Sequence, residues 1–137
     1  MRYRALIALL AALAIVGSIY AANSLDTRYS VASTTVGNSA AYEASHVIKA
    51  TPGTLIALVG YNSKGSAQFI QIFNAAAVPA DTAVPLLTFT VAASSNFSVT
   101  IPICGLPCDA GICWSNSSTG STKTIGSADV FATWIYQ

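Results

Sequence analysis

Between residues 96 and 101 polar and apolar side chains alternate without a break, Asn96, Ser98 and Thr100 on one side and Phe97, Val99 and Ile101 on the other. Successive side chains leave a strand on opposite sides, so this period of two predicts a strand with one buried face. Residues 84–91 repeat the pattern, with Leu87, Phe89 and Val91 set against Thr88 and Thr90. Residues 54–61 are apolar on both faces (Leu55, Val59 and Tyr61 against Ile56 and Leu58), which predicts a central strand buried on both sides. Asn62-Ser63-Lys64-Gly65 breaks that run, and residues 67–73 resume it with Phe69, Ile70, Ile72 and Phe73, so a hairpin is expected here.

Residues 42–49, 112–115 and 129–136 complete a set of about seven short strands, and no helical period is visible after residue 22. The fold class this implies is all-β, an antiparallel β-sandwich or jelly roll over residues 41–137. Leu87, Phe89, Phe97, Val99 and Ile101 are expected inside it. Val130, Ala132, Trp134 and Tyr136 share one face of the last strand; they are assigned to the core, with packing on a neighbouring subunit as the alternative.

The first 22 residues are different in kind. Arg2 and Arg4 precede an unbroken apolar run over residues 5–16, and no further charge occurs before Asp26. Cations ahead of an apolar helix read as an export signal, but Ile19 and Tyr20 stand where a small residue is wanted before a cut. As a helix, residues 5–22 would extend about 27 Å, just short of a hydrocarbon core of roughly 30 Å. A cleaved signal, a retained anchor contacting a membrane through residues 5–22, and a buried helix all stay open. Residues 23–40, rich in Ser, Thr, Asn and Ala, read as a linker or a poorly buried edge strand.

Composition narrows the function. Of 137 residues only 8% are charged, against about 25% in an ordinary soluble domain, which excludes a coiled coil and a charge-driven disordered tail. Beyond residue 20 the net charge is −1, so nothing draws this part of the chain onto the phosphates of a nucleic acid.

Sites for chemistry are few. His46 is the only imidazole, and no Gly-x-Ser-x-Gly elbow, phosphate-binding loop or dinucleotide fingerprint accompanies it, so a structural histidine is expected and no cofactor is implied. Cys104, Cys108 and Cys113 are spaced too widely for a zinc knuckle and lack a fourth ligand apart from His46 or Asp109. In an exported chain they predict one disulfide and one spare thiol, with Cys104–Cys108 and Cys104–Cys113 both open. Residues 115–127 are dominated by Ser, Thr and Asn, whose short side chains fix turns by bonding to nearby backbone. They are expected to form an exposed loop. Asn116, Ser117, Ser118, Thr119, Ser121, Thr122 and Lys123 are its candidate contact residues, toward a glycan or a receptor.

Over residues 60–136 the chain resembles small virion structural proteins of tailed bacteriophages and their uncultured relatives. The likeness is carried by Gly60-Tyr61-Asn62-Ser63, Ala67-Gln68-Phe69-Ile70-Gln71-Ile72-Phe73-Asn74, Val78-Pro79-Ala80-Asp81-Thr82-Ala83-Val84-Pro85 and Ala93-Ser94-Ser95-Asn96-Phe97-Ser98, and most specifically by the run from Cys113-Trp114-Ser115-Asn116 through Gly126-Ser127-Ala128-Asp129. The hydrophobic N-terminus and Ile103-Cys104-Gly105-Leu106-Pro107-Cys108-Asp109 depart from the pattern. The resemblance implies a β-sandwich module of the particle exterior, in head or tail, without enzymatic activity. Its implied partners are other virion proteins or further copies of itself. The alternative is an exported or membrane-anchored binding module of a cell envelope.

Overall fold

The computed structural model describes residues 33–101 and 104–137; the helix expected over residues 1–22 and the first part of the linker lie outside the described residues. Nine strands follow one another and no helix intervenes among the described residues: β1 Thr35–Asn38, β2 Ser45–Lys49, β3 Gly53–Asn62, β4 Gln68–Asn74, β5 Leu87–Val91, β6 Ser95–Thr100, β7 Leu106–Cys108, β8 Ile112–Ser117 and β9 Val130–Tyr136. They build two antiparallel sheets. The first has the order β1-β9-β3-β6, with β7 paired to the start of β3, and the second has the order β2-β8-β4-β5. Among the described residues, expectation and structure agree on an all-β fold in two antiparallel sheets.

The two sheets meet through their apolar faces. Leu58 of β3 lies in register between Trp134 of β9 and Val99 of β6, and the next inward position, Gly60, lies between Ala132 and Phe97. A Cβ on Gly60 would collide with the Phe97 ring, 2.6 Å from its tip, so the glycine lets that ring lie across the strand. From the second sheet Ile70, Ile72, Ile112 and Trp114 complete the core. Phe89 of β5 meets Phe97 of β6 at a ring separation of 5.8 Å, while Leu87 and Ile101 pack at the margin. Each fully buried side chain of this kind contributes about 1.5–3 kcal/mol.

The hairpin expected between residues 54–61 and 67–73 does not form, because β3 and β4 belong to different sheets. The buried Asn62 turns the corner: its amide donates to the carbonyls of Ser66 (3.1 Å) and Ala92 (2.9 Å), and its oxygen accepts from the Lys64 N–H (3.1 Å). One side chain thus ties the β3–β4 and β5–β6 crossings together. Ser94, in the second crossing, takes a positive φ of 47° and donates its N–H to the Lys64 carbonyl at 2.9 Å.

A further correction concerns β3. Its apolar character on both faces does not mean burial on both, since Val59 is 37% exposed on the outer side of the first sheet while Leu58 beside it is enclosed. The outer side of the second sheet is the one that is covered.

Candidate functional site

That cover is made by the two long connections of the second sheet. Gln71, Phe73, Cys113, Ser115 and Ser117 alternate with the core residues of β4 and β8, so they point away from the sandwich, yet all are buried. Residues 75–86 and 118–127 lie over them. Gln71 reaches out from β4 with its amide 2.9 Å from the Thr119 carbonyl and 3.2 Å from those of Gly120 and Thr122. The Ser117 hydroxyl accepts from the N–H groups of Thr119 and Thr124 and donates to the Thr119 carbonyl. Thr119 donates its own hydroxyl to the Thr122 carbonyl at 2.7 Å.

The two connections are then fastened to each other. Lys123 Nζ donates to Asp81 Oδ1 at 2.7 Å, and the Ile125 N–H reaches the same oxygen at 3.1 Å. Backbone bonds from Thr82 N–H to the Lys123 carbonyl and from Lys123 N–H to the Ala83 carbonyl, both 2.8 Å, flank the pair. Lys123 and the Ile125 amide hold the Asp81 carboxyl below its ordinary acidity range. Thr82 beside it adopts a φ of 74°, a strained conformation for a β-branched residue.

The expected exposed contact loop is therefore largely a cover. Asn116 and Ser117 are not in the loop at all: they belong to β8, fully buried, with the Asn116 amide donating to the Ser127 carbonyl at 3.1 Å. Lys123 is buried against the sheet, at 4% exposure, by its pairing with Asp81. Ser118, Thr119 and Ser121 are exposed and Thr122 half-buried, which leaves a short polar ridge as the accessible remnant. Asp81 and Gln71 escaped sequence reasoning because their partners lie more than forty positions away and no local spacing marks them.

The expected disulfide is absent: Cys104 is exposed, Cys108 and Cys113 are buried, and all three are free thiols. Cys108 ends β7 in the first sheet and joins the core, whereas Cys113 points to the outer side of the second sheet, where its thiol lies 3.5 Å from the Ala77 carbonyl. The second sheet separates them. Burial raises both thiols, Cys113 to about 11. No group of His, Cys, Asp or Glu among the described residues is arranged to hold a metal.

His46 of β2 is half-buried, its Nδ1 2.7 Å from Glu43 Oε2 and its ring tilted against that of Trp134 at 4.4 Å between centroids. Both contacts engage it in the architecture.

The outer side of the first sheet carries no such cover. Val36 of β1, Val59 and Tyr61 of β3, and Phe131 and Ile135 of β9 point outward, and Tyr42 packs its ring edge-on against Phe131 at 6.4 Å. Val36 is 61% exposed, Tyr42 49% and Phe131 39%. Asn96, Ser98 and Thr100 of β6 flank this stripe, so no charged side chain occurs at the outward positions of the four paired strands. Comparison with known protein families, curated proteins and solved structures found no match to this chain.

Proposed function

We propose that the chain is a non-enzymatic structural protein of a bacteriophage particle, a capsid decoration or a component of the tail or fibre, working by assembly and surface contact. The observation that carries this reading is the strand order. With the short β7 set aside, the pairs β1–β9, β2–β8, β3–β6 and β4–β5 are those of one long hairpin rolled up so that successive pairs alternate between the sheets. That is jelly-roll connectivity, an arrangement used by viral capsid proteins as well as by lectins and cupins. Strand order alone does not define a function. The resemblance of residues 60–136 to small phage virion proteins selects among these uses.

Two further features support assembly. His46 and the two buried thiols are engaged in packing, and the outer side of the first sheet is an uncharged, partly apolar face. Such a face suits contact with protein and has nothing to offer nucleic acid. Fractionating an infected culture tests the reading: the protein should band with intact particles on a density gradient. Recovery with the cell envelope alone would support the alternative, an anchored binding module, which Arg2 and Arg4 ahead of the apolar run over residues 5–16 favour.

A further inference from the structure

We infer that Gln71 and Ser115 hold one buried water molecule between the second sheet and its cover. The two residues face each other in register on β4 and β8, point outward beneath the covering connections, and are both fully enclosed. The Gln71 amide nitrogen is spent on the carbonyls of Thr119, Gly120 and Thr122. Those three acceptors fix its orientation, because a flipped side chain would set its oxygen against them. Gln71 Oε1 and Ser115 Oγ are left with no protein partner. The rows on either side cannot supply one. The Ser117 hydroxyl is fully engaged with Thr119 and Thr124, the Cys113 thiol lies against the Ala77 carbonyl, and Phe69 and Phe73 bring only rings. Buried polar atoms are satisfied by ordered water where protein groups do not reach them.

The chemistry of the two atoms selects the occupant. Gln71 Oε1 needs a donor and the Ser115 hydroxyl can donate or accept, so one water that donates to the first and bonds to the second satisfies both. An ion would find no free counter-charge, since Asp81 and Lys123, the only charged residues of the covering connections, pair with each other. A larger solute is excluded because Gln71 itself bridges from sheet to loop at 2.9–3.2 Å, which leaves a layer one side chain thick. Ser45 and Thr88, half-buried and in register with this pair on the outer strands β2 and β5, extend the polar row toward both edges of the sheet and give water a route. Through Gln71 Oε1 the water braces the amide that fastens the loop over residues 118–127.

A high-resolution crystal structure of the full chain, joined to amide hydrogen exchange of wild type and Ser115→Val, tests this. A single density peak should lie about 2.7–3.2 Å from both Gln71 Oε1 and Ser115 Oγ. Ser115→Val removes one partner and fills the space with methyl groups. The peak should then vanish, and exchange at the amides of residues 119–124 should speed up by about tenfold, with the near-ultraviolet circular dichroism unchanged. Should Ser115→Val misfold, the wild-type map decides alone. A direct hydrogen bond between Gln71 and Ser115, a gap without density, or density larger than one water would each overturn the inference, and unchanged exchange in folded Ser115→Val would overturn the bracing of the loop. These readouts come from purified protein, so they fail or succeed independently of whether the chain is found in particles.

Discussion

Lys123 and Asp81, separated by 42 positions, meet at 2.7 Å and hold together the two connections that cover the second sheet. The pair is lopsided, because the ammonium is enclosed and the carboxylate is about half exposed. Removing the two partners should therefore have unequal effects. Lys123→Met leaves a carboxylate that water can solvate, while Asp81→Asn leaves a buried cation without its counter-charge. Urea midpoints should fall further for Asp81→Asn than for Lys123→Met, and the reverse order would show that the pair does not fasten the cover.

The same contact sets an acid response. The Asp81 carboxyl is held below its ordinary value of 3.8, so its contribution is present above that value and disappears as pH falls through the lower folded one. Limited proteolysis within residues 118–127 should accelerate below about pH 4 in the wild type, and Asp81→Asn should show the faster rate at neutral pH already.

Leu58 and Val59 are adjacent in sequence and lie on opposite sides of the first sheet. Leu58→Ala opens a cavity between Trp134 and Val99 and should cost about 2–5 kcal/mol. Val59→Ala should stay within about 0.5 kcal/mol of wild type in a dilute monomer. Chemical denaturation of the two variants checks both values, and equal losses would place the register one residue out.

Thiol chemistry should separate the three cysteines. In the folded protein at pH 8, Cys104 should react at once with a thiol reagent. Cys108 and Cys113 should stay protected by enclosure and, for Cys113, by a thiolate fraction of about one in a thousand. Unfolding should bring the total to three. A total of one thiol in unreduced protein would establish the disulfide that the fold argues against.

What was readable from sequence was the part dictated by local period. The alternation at Asn96-Phe97-Ser98-Val99-Thr100 reappears as β6, exposed and half-buried by turns, and the Val130, Ala132 and Trp134 face is enclosed as expected. Pairings over distance were not readable. Ser115, Asn116 and Ser117 look like the start of a loop because polar residues carry no strand period; they are strand because their backbone pairs with β4, while the connection over residues 118–127 takes up the Asn116 amide and the Ser117 hydroxyl. The apolar residues of β3 looked buried on both sides because hydrophobicity does not reveal which face a second layer will cover. β7 went unrecognised since Pro107 and Gly105 signal a turn, and the strand is only three residues long. β1, too short and polar to stand out within residues 23–40, is held at the edge by β9.

The central claim, that this chain is a building element of a virus particle, is tested most directly by quantitative peptide mass spectrometry of gradient-purified particles. The peptide of residues 50–64, bounded by Lys49 and Lys64, is suited to counting. A fixed ratio of this peptide to the major capsid protein across the particle peak is the predicted result. Its absence from the particles, with the protein recovered from the cell envelope or the medium, would contradict the claim.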